Sequence, residues 1–156
     1  MTERFILDEN IVILAQKFEN EKGEIDPTSR QLIDNIIRIC HTIVYDPLLW
    51  EKHFEQLKAL PSDQPFGPRS LLRQLIAAQQ TDGKIEILST NAAEFLEERD
   101  IPQGSQDDVP MVRLAVETGV TLITTDTPLR EDLSSSGVQE KYHLRVLSPV
   151  EALEIL

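Results

Sequence analysis

Apolar positions along the chain fall into short runs separated by stretches of helical period. Phe5, Ile6 and Leu7 form a brief apolar run that stops at Asp8, the pattern of a buried strand. Residues 10–20 read as a helix, and the polar stretch 21–27, with Gly23 and Pro27, as a loop. Thr28 fits an N-cap, and behind it Leu32, Ile33, Ile36, Ile37 and Cys40 recur as one buried helical stripe. Residues 42–45, β-branched and aromatic, predict a second strand. Asp46-Pro47 opens the next helix, with Trp50, Phe54 and Leu57 as its stripe.

Three prolines and a glycine make 61–68 a loop, after which Leu71, Leu72, Leu75, Ile76 and Ala78 continue as a helix into a turn at Asp82-Gly83. Residues 84–88 alternate like a half-exposed strand, 91–98 predict a short helix and 99–107 a loop. Val109, Val112, Ala115 and Val116 form a helix stripe closed by Gly119. Residues 120–124 predict a strand ending at Thr125-Asp126, with Pro128 in the turn or helix start that follows. A last strand covers 144–147, and Ser148-Pro149 opens a terminal helix. Short apolar strands alternating with helices predict an α/β fold: a doubly wound three-layer α/β/α sandwich around a mainly parallel sheet.

The 156 residues suit one domain over 1–156. No apolar run approaches the ~18 residues needed to span a bilayer, and Asp8 and Glu9 interrupt the apolar start, so neither a membrane span nor a signal peptide is expected. Cys40, the sole cysteine, excludes an internal disulfide and a cysteine-rich zinc site, which fits a cytoplasmic protein. A net charge of −12 repels polyphosphate at long range. Nucleic-acid binding would therefore need a local basic strip, a metal ion or a basic partner.

Doubly wound folds gather their chemistry beyond the carboxyl ends of the strands. Gly-rich phosphate loops and nucleophile elbows are absent from the sequence, but carboxylates stand at those ends. Asp8 closes the first strand and Asp126 a later one, Asp107 and Asp108 begin the helix leading into the later strand, and Asp46 and Glu51 open the helix after the second. Asp108, Val112 and Ala115 share one helical face, which turns Asp108 inward. Carboxylates gathered in one cleft repel each other by several kcal/mol, on the order of what Coulomb's law gives at intermediate dielectric, and a divalent cation relieves this. Mg²⁺ or Mn²⁺ suits oxygen ligands. Asp46, Asp107 and Asp126 are equally readable as helix or turn caps, and Glu51 as a first-turn acid facing the helix dipole.

The stretches Ile6-Leu7-Asp8-Glu9-Asn10, Val44-Tyr45-Asp46-Pro47-Leu48-Leu49-Trp50-Glu51, Asp107-Asp108 through Leu114-Ala115, Leu122-Ile123-Thr124-Thr125-Asp126 and Val146-Leu147-Ser148-Pro149 resemble PIN-domain nucleases, in order and over nearly the whole chain. That resemblance implies a PIN-like sheet and a four-carboxylate site that binds Mg²⁺ or Mn²⁺ and cleaves RNA. By motif position Asp8, Glu51, Asp108 and Asp126 are the catalytic acids, with Asp8, Asp108 and Asp126 as metal ligands and Asn10 and Thr124 as accessory polar groups. Glu51 is preferred to Asp46 because the family's acid follows an apolar pair inside the helix. Glu9 is an extra acid beside the motif, and 61–105 match none.

The expected function is that of a metal-dependent endoribonuclease, of the kind found as toxins of toxin–antitoxin pairs. Its expected partners are RNA, an antitoxin-like protein and a second copy of the chain. Arg69, Arg73, Lys84 and Arg130 are the candidate RNA-backbone contacts. The charge of −12 also suits an alternative, a non-cutting PIN-like module that binds a basic protein segment. An Asp-nucleophile phosphatase fits less well, since Asn10 has no carboxyl proton to donate. His41, His53 and His143 show no ligand spacing.

Overall fold

The computed structural model describes residues 3–39, 41–60, 70–80, 84–88 and 108–156. Expectations for Cys40, the loop 61–68, Arg69, the Asp82-Gly83 turn, the helix 91–98, the loop 99–107 and Asp107 lie outside the described residues. Five strands form one all-parallel sheet: β1 (Arg4–Leu7), β2 (Thr42–Tyr45), β3 (Ile85–Ile87), β4 (Thr121–Ile123) and β5 (Val146–Leu147). Their spatial order is β3-β2-β1-β4-β5. The chain runs outward from β1 through β2 to β3, then returns to the opposite side of β1 for β4 and β5. This reversal is a topological switch point between β1 and β4, where crevices open beyond the strand ends.

Alternation along the strands builds the layers. Phe5, Leu7, Ile43, Tyr45 and Ile123 pack on one face with α1 (Glu9–Lys17), α2 (Thr28–Arg38), α3 (Pro47–Ala59), α4 (Ser70–Gln79) and α8 (Pro149–Ile155). Ile6, Val44, Leu122 and Val146 pack on the other with α5 (Val109–Thr118), α6 (Thr127–Ser135) and α7 (Val138–Lys141). Both faces of the sheet are covered, so the buried stretches of the central strands are mostly apolar and a buried carboxylate at their ends stands out. The expected doubly wound α/β/α sandwich is what the chain forms.

Boundaries differ from expectation where the backbone turns early. The first helix stops at Lys17, because Phe18 takes a left-handed C-cap conformation at φ 60°. The Asn20 side chain then accepts the backbone N–H groups of Lys22 and Glu24 and closes the following turn. Pro128 lies in the first turn of α6, and α7 after it carries too few residues to show a periodic stripe. No helix among the described residues is long and apolar enough to cross a membrane.

Candidate functional site

Leu7 pairs with Ile123 in the β1–β4 register, which sets Asp8 and Thr124 side by side at the switch point. The Asp8 N–H donates to the Ile123 carbonyl at 2.9 Å, and the carboxylate is only 2% exposed. Thr124, fully buried, donates its hydroxyl to Asp8 Oδ2 at 2.6 Å and accepts the Asp126 backbone N–H at 3.0 Å. A single hydroxyl therefore ties the two strand-end acids together. Asp126 Oδ1 also accepts the Leu129 N–H at 3.0 Å, so this acid caps α6 as well as standing at the strand end.

Asp108 shares a cleft with Asp8, and Asp126 is not among the residues lining it. Asp108 occupies the N-cap position of α5 but makes no side-chain capping bond, and it lines this cleft of about 160 Å³ with Asp8, Glu9, Asp46 and Lys52. Met111 and Leu49 belong to the apolar wall. Burial first, then the charges of Asp8, Asp126 and Glu9, push the Asp108 carboxyl up to about 6. Burial likewise raises Asp8; the Thr124 hydrogen bond opposes this, and Glu9 and Asp126 reinforce it. These acids share one electrostatic environment that is short of positive charge.

Among the described residues, the one cation lining the cleft is Lys52, whose Nζ lies 2.7 Å from Glu9 Oε2. Gln56, one turn further along α3, donates to the same oxygen at 2.9 Å. Partial burial pushes Glu9 upward, but the bonds from Lys52 and Gln56 outweigh it and hold the carboxyl below its ordinary value. The Glu9 bond raises Lys52, against a burial effect, with further help from the charges of Asp108 and Asp8. Beneath them His53 is buried, its Nδ1 3.0 Å from the Tyr45 hydroxyl and its ring edge-on to Tyr45 at 5.1 Å. Burial lowers His53 to about 3, which keeps it neutral and makes the pair part of the packing.

The remaining expected residues are spread more widely. Asp46 lines the cleft and caps α3, accepting the Leu49 N–H at 2.7 Å. Glu51 is exposed and is not among the residues lining the cleft. Asn10, exposed in the first turn of α1, borders a separate depression shared with Thr125. Arg130 is held by Glu151 at 2.6 Å, and Glu151 in turn forms the capping box of α8 with Ser148. Arg73 is exposed on α4, and Lys84 Nζ donates to the Ile39 carbonyl at 2.8 Å. Lys52 carries no signal in the sequence beyond its helical phase.

Among the described residues, no three His, Cys, Asp or Glu side chains converge into a preformed metal shell. The donor chemistry nonetheless fits a hard divalent cation: all oxygen, anionic, and with Asp108 raised by burial and then by its like-charged neighbours.

No protein-family model matches the sequence, and no curated protein matches it either. Among solved structures, the chain is similar to one from VapBC2 of Rickettsia felis, a crystal structure bound to a DNA fragment from their promoter. The TM-score is 0.55 at 14% identity, over 93% of this chain and 98% of that one. The likeness is one of fold, and the all-parallel five-stranded sheet agrees with it.

Proposed function

We propose that the chain is a single PIN-like domain over residues 1–156 that acts as a Mg²⁺- or Mn²⁺-dependent endoribonuclease, the toxin of a cytoplasmic toxin–antitoxin pair. The observation that carries this reading is the grouping of Asp8 and Asp108 in one cleft at the switch point, with Asp126 tied to Asp8 through Thr124 and Asp108 pushed up to about 6 by burial and then by its acidic neighbours. Fold likeness to a VapBC2 chain supports it, as does that complex's two-component name for an antitoxin-like partner.

Asp8, Asp108 and Asp126 would hold the ion. Asp46, already in the cleft, is better placed than Glu51 to be the fourth carboxylate. When bound, such an ion activates a water at neutral pH and offsets charge developing on a phosphate. Thr124 fixes the Asp8 carboxylate by its 2.6 Å hydrogen bond and leaves Asp126 oriented by its backbone N–H. Asp8, buried at 2% exposure, is largely out of water, which strengthens the charge interactions at that carboxylate. RNA is the substrate class this reading takes, with Arg69, Arg73 and Arg130 as candidate contacts. Arg130 would first have to leave Glu151.

A non-cutting module that binds a basic protein segment is favoured by the −12 charge. Calorimetry with Mn²⁺ on wild type beside Asp126→Asn separates the two. Binding that the substitution abolishes, followed by Mg²⁺- or Mn²⁺-dependent cleavage of an RNA pool, is the expected result. A folded wild type that neither binds Mn²⁺ nor cuts RNA refutes the nuclease reading.

A further inference from the structure

The acidic cleft already contains a cation of its own. Lys52 reaches it from the second turn of α3, with its ammonium on Glu9 at 2.7 Å and its side chain about half exposed, at 51%. Gln56 holds the same Glu9 oxygen at 2.9 Å, so the anchor of Lys52 is itself fixed from two positions on one helix face. Among the described residues lining the cleft, Lys52 is the only Lys or Arg against four acids, Asp8, Glu9, Asp46 and Asp108. Other cations near the sheet ends are engaged elsewhere: Arg130 with Glu151 and Lys84 with the Ile39 carbonyl.

The geometry points to Lys52 as a tethered counter-cation of the carboxylate cleft, which neutralises the acids in the metal-free protein and competes with a divalent ion for them. This rests on the reading of the cleft as a divalent-cation site and adds its regulation. In the resting state Lys52 offsets part of the repulsion that Asp8, Glu9 and Asp108 exert on one another in the cleft. An incoming dication meets the positive charge of Lys52 in the same cleft, and its affinity falls accordingly. Swinging Lys52 outward, which its exposure permits, frees the cleft and turns the ammonium toward whatever anion approaches the mouth. A polyanionic substrate would then draw Lys52 out and favour metal entry, so that metal and substrate bind with positive coupling.

The test is Mn²⁺ calorimetry on wild type, Lys52→Gln, Lys52→Arg and Lys58→Gln, with Asp126→Asn as site control. Lys58 is an exposed lysine on the same helix, paired with Glu55 at 3.6 Å, and removing it changes the net charge equally. Lys52→Gln should bind Mn²⁺ roughly tenfold more tightly, the scale of a unit charge against a dication at short range in a water-like dielectric. Lys52→Arg and Lys58→Gln should match wild type. Lys52→Met is the second charge-removing variant, and melting curves establish that each variant is folded. Equal affinity for wild type and Lys52→Gln, with Asp126→Asn still abolishing binding, overturns the competition while the metal site stands. Equal tightening by Lys58→Gln overturns it in favour of overall charge. No binding to wild type, Lys52→Gln or Lys52→Met removes the metal site and the proposal together.

Discussion

Replacing Asp108 with Asn should stabilise the metal-free protein, and more so as the pH rises. The folded state raises this carboxyl from an ordinary 3.8 to about 6, so it binds its proton more tightly than the unfolded chain does. The contribution is therefore fully present below about pH 4 and is lost as the pH climbs through about 6. At 1.36 kcal/mol per pKa unit the whole interval is worth at most about 3 kcal/mol. Asp108 sits at a solvent-accessible cleft mouth, and screening there brings the figure to about 1 kcal/mol. For a chain of this length that is about 2–4 °C in Tm. Asn keeps the size and polarity of the side chain, and the native carboxylate makes no capping bond that would be lost. Differential scanning calorimetry in chelator-treated buffer at about pH 5 and about pH 8 reads the effect. Asp108→Asn should melt above wild type at the higher pH, with a smaller gap at the lower one. A variant that melts below wild type at both, or a gap that ignores pH, refutes the idea that Asp108 is held under like-charge repulsion and desolvation.

Two further substitutions test neighbouring parts of the same network. Thr124→Val removes the donor to buried Asp8 and the acceptor for the Asp126 N–H, and should cost about 1–3 kcal/mol, whereas Thr124→Ser stays near wild type in thermal melts; equal melting of Val and Ser would show that the hydroxyl contributes nothing. Asp46→Ala should lose about 1 kcal/mol with its cap on Leu49, while Asp46→Asn keeps the cap and weakens Mn²⁺ binding; unchanged Mn²⁺ affinity in the Asn variant confines Asp46 to capping.

The strand-end acids are legible in the sequence because the sheet is covered on both faces. A parallel strand buried on both sides reads as an unbroken apolar run, so Phe5-Ile6-Leu7 announces β1, and the carboxylate that ends it announces a place where burial and charge conflict. The same logic finds Asp126 after Leu122 and Ile123, and the helical phase of Val112 and Ala115 turns Asp108 inward toward them. What is not legible is the bond that joins Asp8 to Asp126. Thr124 looks like one more β-branched strand residue, and its role depends on the β1–β4 register, which pairs residues over a hundred positions apart. Asp46 and Asp126 also show why single acids resist sorting by sequence: each caps a helix while standing at the strand ends, and an N-cap and a strand-end acid occupy the same place in a strand–turn–helix unit.

The choice between Glu51 and Lys52 turns on one residue of helical phase. Adjacent positions are about 100° apart around a helix, and of Glu51 and Lys52 only Lys52 lines the cleft, as Leu48 and Leu49 do one turn earlier. Asp46 fixes the origin of α3 by its cap, and Leu49, Lys52, His53 and Gln56 then recur at i, i+3, i+4 and i+7. That face meets Glu9 and carries the buried His53, half-buried Leu49 and the Gln56 bond. Glu51, Glu55 and Lys58, at i, i+4 and i+7, follow a neighbouring face, and all three are exposed. An apolar pair ahead of an acid singles out Glu51 in the sequence, but that pair, with Leu48 75% exposed and Leu49 half-buried, lines the cleft together with Lys52 and not with Glu51. Packing follows the face of Leu49, and it delivers a lysine to the acids. The same one-residue offset explains how a chain of net charge −12 keeps its most crowded carboxylates together: the cleft takes its cation from its own third helix.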